Sequence, residues 1–598
     1  MPSGENPPPR ARSWPGHFAF WLSLVAGALA VFAAAGWSLA FDLGPLRVSL
    51  RHAANPSIVA AVSAVFSAWS LGASWFEGLN RRGHDFLLRR AGLVAVALSV
   101  LVVLTTWSHG AFVAGGADSS GYLTETRLWL AGSLRVPPPD LEAVRFQHGI
   151  QVLAPLGLKP AAGLGHLVPT YPPGFPLLMA GFELVGGSAA KFWVVPIAAG
   201  LLVLTVFVLG RRVAGPEAGL LAAAGTAASP TFLFQAVQPM SDVPASCAWV
   251  IAATLLTWPS VRAAGMAAAA AVVGCLIRPN LFAMVPLLAL AALWWAPSWR
   301  RGVARAAALC APTLVAALGF AWWQRDLYGA LTETGYGGVT YLFSLTHVWP
   351  NLSTYPRWLY ESHGWFLLLA VAGPFLIGNS RTESSDGSSP RPKSVAWWIV
   401  VMFAAVFAFY SLYFSFDNWT YTRFLLPVLP LVIVLAAVTV VAMLNRLPPA
   451  FRTLAFVWTI VLVASLGASK ARDLGAFGLW ESERRFVEVA EYAGTQPASA
   501  VFLSMQHAGS VAYYTGRTVL RWDWIEPNEL DRALDLLAAS GRSVYAALED
   551  WEITELRTRL AGSAAIAALR TPVFQARDRE AIDAYVFLLR QGLTANGN

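Results

Sequence analysis

Apolar runs recur along most of this chain, and many are long enough to cross a bilayer, which takes about 20 residues as a helix. Clear cases are residues 18–40, 58–76, 91–113, 192–209, 303–323, 397–413, 424–444 and 454–466. Shorter or interrupted runs are 219–237, 245–258, 263–277, 281–295 and 365–377. Together they predict about thirteen spans, each a helix, because lipid offers the backbone no hydrogen-bond partner. Composition agrees: 56% of the 598 residues are apolar and only 13% are charged. A soluble domain carries about 25% charged residues, so that class is excluded, and disorder with it. The 49 Gly and 3 Cys also exclude collagen-like chains and disulfide scaffolds. Cys247, Cys275 and Cys310 lie in apolar runs and read as small packing residues.

Orientation follows from Lys and Arg. With the N-terminus in the cytoplasm, inside loops hold Arg10 and Arg12; Arg81, Arg82, Arg89 and Arg90; Arg211 and Arg212; Arg262; Arg300, Arg301 and Arg305; Arg381, Arg391 and Lys393; Arg446 and Arg452. The outside connections carry fewer cations over a greater length. The net charge of +8 is therefore read as topology, not as affinity for nucleic acid. The first run lacks a small-residue cleavage site and reads as a retained helix, not a signal peptide. An Ala- and Arg-rich composition points to a bacterial inner membrane. The 26 Trp suit helices anchored at the lipid interface. Residues 381–393 read as a flexible cytoplasmic linker.

An odd span count puts everything after about residue 468 outside, dividing the chain into a transmembrane domain, 1–468, and an extracytoplasmic domain, 469–598. Two further outside regions, 114–191 and 324–362, exceed ordinary turns, and loops beyond about 15 residues usually carry function or structure. In the first, residues 121–134 have the pattern of a helix lying in the interface. The second is rich in aromatics, including Tyr336 and Tyr341, and is expected to cover a cavity. The tail regains charge and alternates helix-like stretches (481–494, 529–540, 552–560) with strand-like runs (500–504, 543–548, 584–589). That alternation predicts a small α/β domain with a mostly parallel sheet.

The polar outliers on the outer side carry the chemistry. Asp118, in Gly115-Gly116-Ala117-Asp118-Ser119-Ser120-Gly121-Tyr122, follows a span by five residues. It is either a helix N-cap or a reactive carboxylate. Pro169-Thr170-Tyr171-Pro172-Pro173-Gly174-Phe175-Pro176 is a rigid turn that braces the chain or aims Tyr171 at a substrate. In Ser241-Asp242-Val243-Pro244 a cap is the favoured reading. Arg278 and Arg423 open or close spans from outside, against the charge trend, and a guanidinium fork suits a phosphate. In the tail, Gln506-His507-Ala508 and Arg517 follow a strand, where α/β folds place ligands, so His507 or Arg517 faces the acceptor unless it is structural. There is no Gly-x-x-x-x-Gly-Lys phosphate loop, no HExxH helix, no Cys/His cluster and no nucleophile elbow.

Taken in order, Asp118 with Tyr122, Tyr171-Pro172-Pro173-Gly174-Phe175-Pro176, Ser241-Asp242-Val243-Pro244, Arg278-Pro279 and Arg423-Phe424-Leu425-Leu426-Pro427 resemble the GT-C class of membrane glycosyltransferases. The nearest likeness is to the family of protein O-mannosyltransferases and lipid A aminoarabinose transferases, from residue 91 onward. The resemblance implies a GT-C fold and transfer of a sugar from a polyprenyl-phosphate donor, at the outer face, to a lipid, glycan or protein acceptor. It implies Asp118 as catalytic base, Arg278 and Arg423 as binders of the donor phosphate, and Tyr122, Tyr171, Asp242 and His507 as positioning groups. No cofactor or metal is implied by these residues. Family members often carry adjacent acidic residues at the base position, whereas Asp118 precedes two serines. A second carboxylate would be Glu125, Asp140, Glu142 or Asp242. The alternative function is a transporter or lipid flippase, which predicts ionisable residues at mid-membrane and internal symmetry. A non-catalytic assembly protein is a further rival.

Overall fold

The computed structural model describes residues 14–34, 39–43, 46–50, 54–141, 144–163, 165–377, 390–577 and 583–593. Arg10, Arg12, Glu142 and residues 381–389 of the expected linker lie outside them.

Helix α1 (Trp14–Ala34) leads through a hairpin, β1 (Leu39–Leu43) with β2 (Leu46–Leu50), to α2 (Ala54–Ser108). The sequence predicts two spans joined by an arginine-rich loop here. Instead the helix runs straight through Arg81, Arg82, Arg89 and Arg90, and its only non-helical residue is Gly72 (φ 75°, ψ 166°). Fifty-five residues would reach about 80 Å, far beyond the roughly 30 Å of bilayer hydrocarbon, so the element has to turn. Gly72 turns it, because positive φ costs glycine nothing.

Then follow α3 (Gly116–Leu130), the strands β3 (Leu158–Pro160) and β4 (Leu167–Pro169), and α4 (Gly174–Gly186). The bundle continues with α5 (Val194–Ala214), α6 (Pro216–Ala227), α7 (Pro230–Ala236), α8 (Asp242–Leu255), α9 (Val261–Ile277), α10 (Val285–Trp294) and α11 (Trp299–Tyr328). A hairpin, β5 (Glu333–Thr334) with β6 (Gly337–Gly338), precedes the short α12 (Val339–Leu342) and α13 (Val348–His363). After α14 (Trp365–Leu368) and α15 (Gly373–Leu376) come α16 (Pro392–Ser411), α17 (Leu429–Leu444) and α18 (Pro449–Asp473).

Among the described residues, six helices are long and apolar enough to cross a membrane, and the turn Trp419–Leu425 with α17, bent by 88°, makes a seventh. The other apolar elements, such as Asp242–Leu255 and Pro279–Trp294, have only 10–17 residues. Gly215 (φ 92°) separates α5 from α6 between two predicted runs, and Pro230 starts α7 afresh within the run 219–237. One side of α11 shows Leu314, Val315, Leu318 and Trp322 to the surroundings, each at least 60% exposed, as a lipid-facing surface does.

The two ends of α8 carry opposite charges. At its C-terminal end Arg212 donates to Thr257 Oγ1 (2.6 Å) and O (2.8 Å), and the buried Arg305 donates to the carbonyls of Leu256 and Trp258. Cations are favoured where a helix presents its free carbonyls. The other end begins with Asp242 and belongs to the site described below.

The C-terminal region comprises α19 (Leu479–Thr495), β7 (Val501–Leu503), α20 (Ala508–Thr515), β8 (Thr518–Leu520), α21 (Leu530–Ala539), β9 (Val544–Glu549), α22 (Asp550–Arg559), α23 (Ala564–Ala567), β10 (Phe574–Ala576) and β11 (Ala584–Arg590). Its sheet order is β10-β11-β9-β7-β8. The expected alternation is present, but the sheet is mixed: β7 pairs β8 and β9 in parallel, while β11 runs antiparallel to β9 and β10. A parallel pair needs a crossover, and α20 and α21 supply one each; β10 and β11 pair antiparallel, which needs none.

This region is tied closely to α3. Gly509 of α20 sits so near Ser120 that a Cβ there would overlap the hydroxyl. Ala114 N–H donates to Tyr514 Oη (2.9 Å), and the Arg127 guanidinium lies 3.4 Å over the Tyr513 ring. The expected interfacial helix is therefore a buried one: Ser119 to Leu123, Glu125 and Thr126 are all covered.

Behind the contact, the buried Glu552 accepts from the backbone N–H groups of Met505 (3.2 Å) and Gln506 (3.1 Å) and from Trp522 Nε1 (3.0 Å). Burial pushes its carboxyl up to about 7, although these donors pull the other way. A folded-state value above the unfolded one means stability is full below about pH 4.5 and is lost as pH rises through about 7. We expect the melting temperature of the whole chain to fall between pH 5 and 8, and the neutral variant Glu552→Gln to flatten that slope. An unchanged slope in a thermal unfolding series would disprove the assignment.

Candidate active site

α3 starts from Gly115, extended at φ −93° and ψ 149°, with no side chain capping its N-terminus. Asp118 in the first turn is thus not the N-cap. Its carboxylate points across the bundle, where Oδ1 accepts from Tyr171 Oη (2.8 Å) and Oδ2 accepts from Arg423 Nη1 (2.9 Å). Burial raises the carboxyl's proton affinity, but the charge of Arg423, the two hydrogen bonds and the charge of Arg278 outweigh it and hold the group below the usual carboxylate range. Asp118 is therefore an anion at any ordinary pH.

Tyr171 reaches Asp118 because two glycines allow backbones to cross. Gly121 of α3 meets Gly157, and a Cβ on Gly121 would overlap the Tyr171 ring. The ring is also wedged by Tyr122 (centroids 4.6 Å apart) and Tyr336 (5.7 Å, edge-on). Overpacking costs about 1–3 kcal/mol and here would displace the donor from Oδ1. We expect Gly121→Ala to lower the melting temperature by several degrees and to cut turnover more than tenfold. Wild-type turnover in that variant, with the same donor and acceptor, would show that the Tyr171 contact is dispensable.

A second buried pair lies alongside. Arg278, at the end of α9, donates to Asp242 at the start of α8, and Asp242 is fully buried. Ser241 Oγ hydrogen-bonds Tyr122 Oη (2.8 Å) and caps nothing, so the cap reading fails for both residues. Phe424 lies between the two arginines, its ring centroid 5.6 Å from Arg278 Cζ and 5.4 Å from Arg423 Cζ. Tyr336 and Phe424 also separate two cavities. The smaller, about 130 Å³, is lined by Arg278, Asn280, Tyr410, Phe320 and Trp323. The larger, about 630 Å³, is lined by Asp118, Arg423, Tyr421, Glu483, Phe486 and Gln506 among others.

Four sequence-predicted residues meet here as two ion pairs, Asp118 with Arg423 and Asp242 with Arg278; Tyr171 joins the first through its hydroxyl, and Tyr122 packs on the Tyr171 ring and bonds Ser241 beside the second. His507 does not face either cavity. It is fully buried against Phe486 (4.7 Å), 3.6 Å from Glu549, and burial with the nearby Arg485 brings it down to about 3, so it is neutral. Arg517 donates to the carbonyls of Gly494 and Gln496 at the end of α19, a structural role. Glu125 is buried, its carboxyl pushed well up by burial and bonded to Trp129 Nε1 (3.1 Å), and it lines neither cavity. Asp140 is exposed. Glu483 reaches the site without any distinguishing sequence signal, being one charge among six on an amphipathic helix that only the docking of α19 selects; Gln506 and Phe424 lie in stretches the sequence singled out, but for their neighbours His507 and Arg423.

Helices passing a membrane around a charged cavity, roofed by an α/β region, define the class: the chain has the GT-C fold of membrane glycosyltransferases. In particular it is similar to ArnT from Cupriavidus metallidurans in the apo state, with a TM-score of 0.53 and 16% identity over 83% of this chain and 97% of that one. The same enzyme bound to undecaprenyl phosphate matches with a TM-score of 0.50 and 14% identity, over 83% and 97% of the two chains. No protein-family model matches the sequence, and no curated protein does. These structures bear out the GT-C part of the expected fold class, and at such identities they speak for the fold alone.

Proposed function

We propose that this protein transfers a sugar from a polyprenyl-phosphate donor to an acceptor hydroxyl. The observation that carries the reading is the Asp118 carboxylate held between Tyr171 and Arg423 on the wall of an open cavity, with a second guanidinium, Arg278, across Phe424. The fold shared with a transferase whose structure contains undecaprenyl phosphate supports the donor class.

In this mechanism the donor phosphate lies against Arg423 and Arg278, whose forks match its oxygens. The isoprenoid leaves through the smaller cavity past Phe320 and Trp323 on lipid-facing α11. The acceptor oxygen attacks the anomeric carbon as the bond from that carbon to the phosphate oxygen breaks. The acceptor proton passes to Asp118, and the bond's electron pair leaves with the phosphate, whose growing charge the arginines stabilise. Arg423 is shared: when phosphate engages it, Asp118 loses a cation and becomes a stronger base. That couples base strength to donor binding. The leaving group is anionic already, so the scheme uses no cofactor and no resident metal. A single displacement inverts the anomeric centre.

We further propose an odd number of passes with the N-terminus cytoplasmic, in a bacterial inner membrane, and with residues 469–598 as a periplasmic domain over the site. The gathering of Arg212 and Arg305 at the end of α8 remote from Asp242 supports that polarity. The test is to supply polyprenyl-phosphate sugars of known anomeric configuration to the purified protein and to determine the product's configuration by NMR. Inversion is expected; retention, or no transfer from any such donor, would refute the reading.

A further inference from the structure

The larger cavity has two unlike walls. On one side stand Asp118, Arg423 and Tyr421. On the other, the C-terminal region contributes Glu483 and Phe486 from α19 and Gln506 from the loop that Glu552 holds. These groups come close to the base because α3 begins with two glycines. A side chain on Gly115 would overlap Glu483 Oε2, and a Cβ on Gly116 would stand 3.4 Å from Gln506 Nε2. Gly115 has an ordinary extended backbone, so positive φ does not require a glycine there. Its missing side chain admits Glu483 to within three residues of Asp118.

We propose that Glu483 and Gln506 form the acceptor-binding wall, and that the acceptor they fit is a neutral, hydroxyl-bearing sugar. This rests on the glycosyl-transfer reading. A carboxylate offers about four acceptor positions and an amide offers both donors and acceptors, so the pair holds adjacent hydroxyls. Phe486 and the Tyr421 ring, stacked on Phe416 at 3.7 Å, give flat apolar faces for the C–H side of a sugar ring. The charge pattern selects against anions. Arg423 is the one cation among the described residues lining this cavity, and it is paired with Asp118; Arg485 stands 3.9 Å behind Glu483 but is held by Glu549 at 2.8 Å, so the wall keeps an excess of negative charge. A phosphorylated or carboxylated acceptor would meet Glu483 as a like charge. The two walls thus sort the substrates: cations for the donor phosphate, a carboxylate and an amide for the acceptor. A cavity of about 630 Å³ lies within the roughly 300–1,000 Å³ usual for small-molecule sites.

The experiment uses the full chain in nanodiscs. Binding is measured to an immobilised panel of neutral oligosaccharides, to the same sugars bearing phosphate, and separately to polyprenyl monophosphate. Wild type should retain neutral members over phosphorylated ones. Glu483→Gln and Gln506→Ala should each weaken that retention at least tenfold, with polyprenyl-phosphate affinity and melting temperature unchanged. Gly115→Ala, whose Cβ would displace the carboxylate without removing it, should weaken that retention as well. Preference for phosphorylated sugars, no retention of any neutral sugar, or full retention by the Glu483 and Gln506 variants would each overturn the proposal. Loss of polyprenyl-phosphate binding in wild type, with Glu483-dependent sugar binding intact, would instead refute the donor assignment and leave the acceptor wall standing.

Discussion

Asp118→Asn is expected to lower the turnover number by 10²- to 10⁴-fold, the usual contribution of a positioned general base. The amide keeps an oxygen for the Tyr171 hydroxyl, now bonded at 2.8 Å, but it cannot take a proton and no longer balances Arg423. The pair is partly open, with Asp118 27% and Arg423 17% exposed, so its contribution to stability is modest and the melting temperature should move by only a few degrees. Asp118→Glu keeps the charge but shifts it by a methylene, and a misplacement of that size can cost about 10²-fold. Steady-state transfer with a labelled polyprenyl-phosphate sugar checks all of this. If the Asn variant retains more than a tenth of wild-type turnover, Asp118 is not the base. The pH profile adds a signed control. Arg423 and Tyr171 hold the carboxyl low, so wild-type kcat/KM should stay flat down to about pH 5. Arg423→Gln removes the larger stabilising charge, and the acid limb should then move up in pH while the KM for donor rises.

Arg278→Met is expected to be the most destabilising single change at the site, by about 3–5 kcal/mol, because it strands Asp242 as a buried, unpaired charge. Asp242 is fully buried and its Oδ2 has no hydrogen-bond partner among the described residues, so Arg278 is its main compensation. That loss is large against the roughly 5–15 kcal/mol that holds a folded domain together. Asp242→Asn should be costly for the converse reason. The double variant should recover at least ~2 kcal/mol of the summed loss, since neither charge remains. Denaturant unfolding of the two single variants and the double variant completes the cycle. Strict additivity would show that the ions do not act as a pair.

How much of this was legible in the sequence differs from element to element. Asp118, Asp242, Arg278 and Arg423 stand out in a chain with 13% charged residues, because an ionisable group beside hydrocarbon is too costly to be incidental. His507, singled out for its place after a strand, and Glu125, one of four candidates for a second carboxylate, lie elsewhere: burial disfavours the charged form of each. In the C-terminal region α19, α21, α22, β7, β9 and β11 follow from their periodicity, whereas the short α20, α23, β8 and β10 and the direction of β11 do not, since short elements and strand pairing are settled by partners distant in sequence. The span count was the least legible feature. Five apolar helices among the described residues have only 10–17 residues, and hydropathy does not say which of them cross.

The sequence alone determined that this chain is a helical membrane bundle with a charged α/β tail, and it singled out a few charges on the outer side, because the cost of burying a charge is local and visible residue by residue. Which charge meets which was decided only by the tertiary structure. Arg423 finds Asp118 across 305 residues, Arg278 finds Asp242 across 36, and α19 brings Glu483 to Gly115. Such pairings depend on helix packing and on side-chain-free glycine crossings, and these are properties of two surfaces together that neither segment carries by itself.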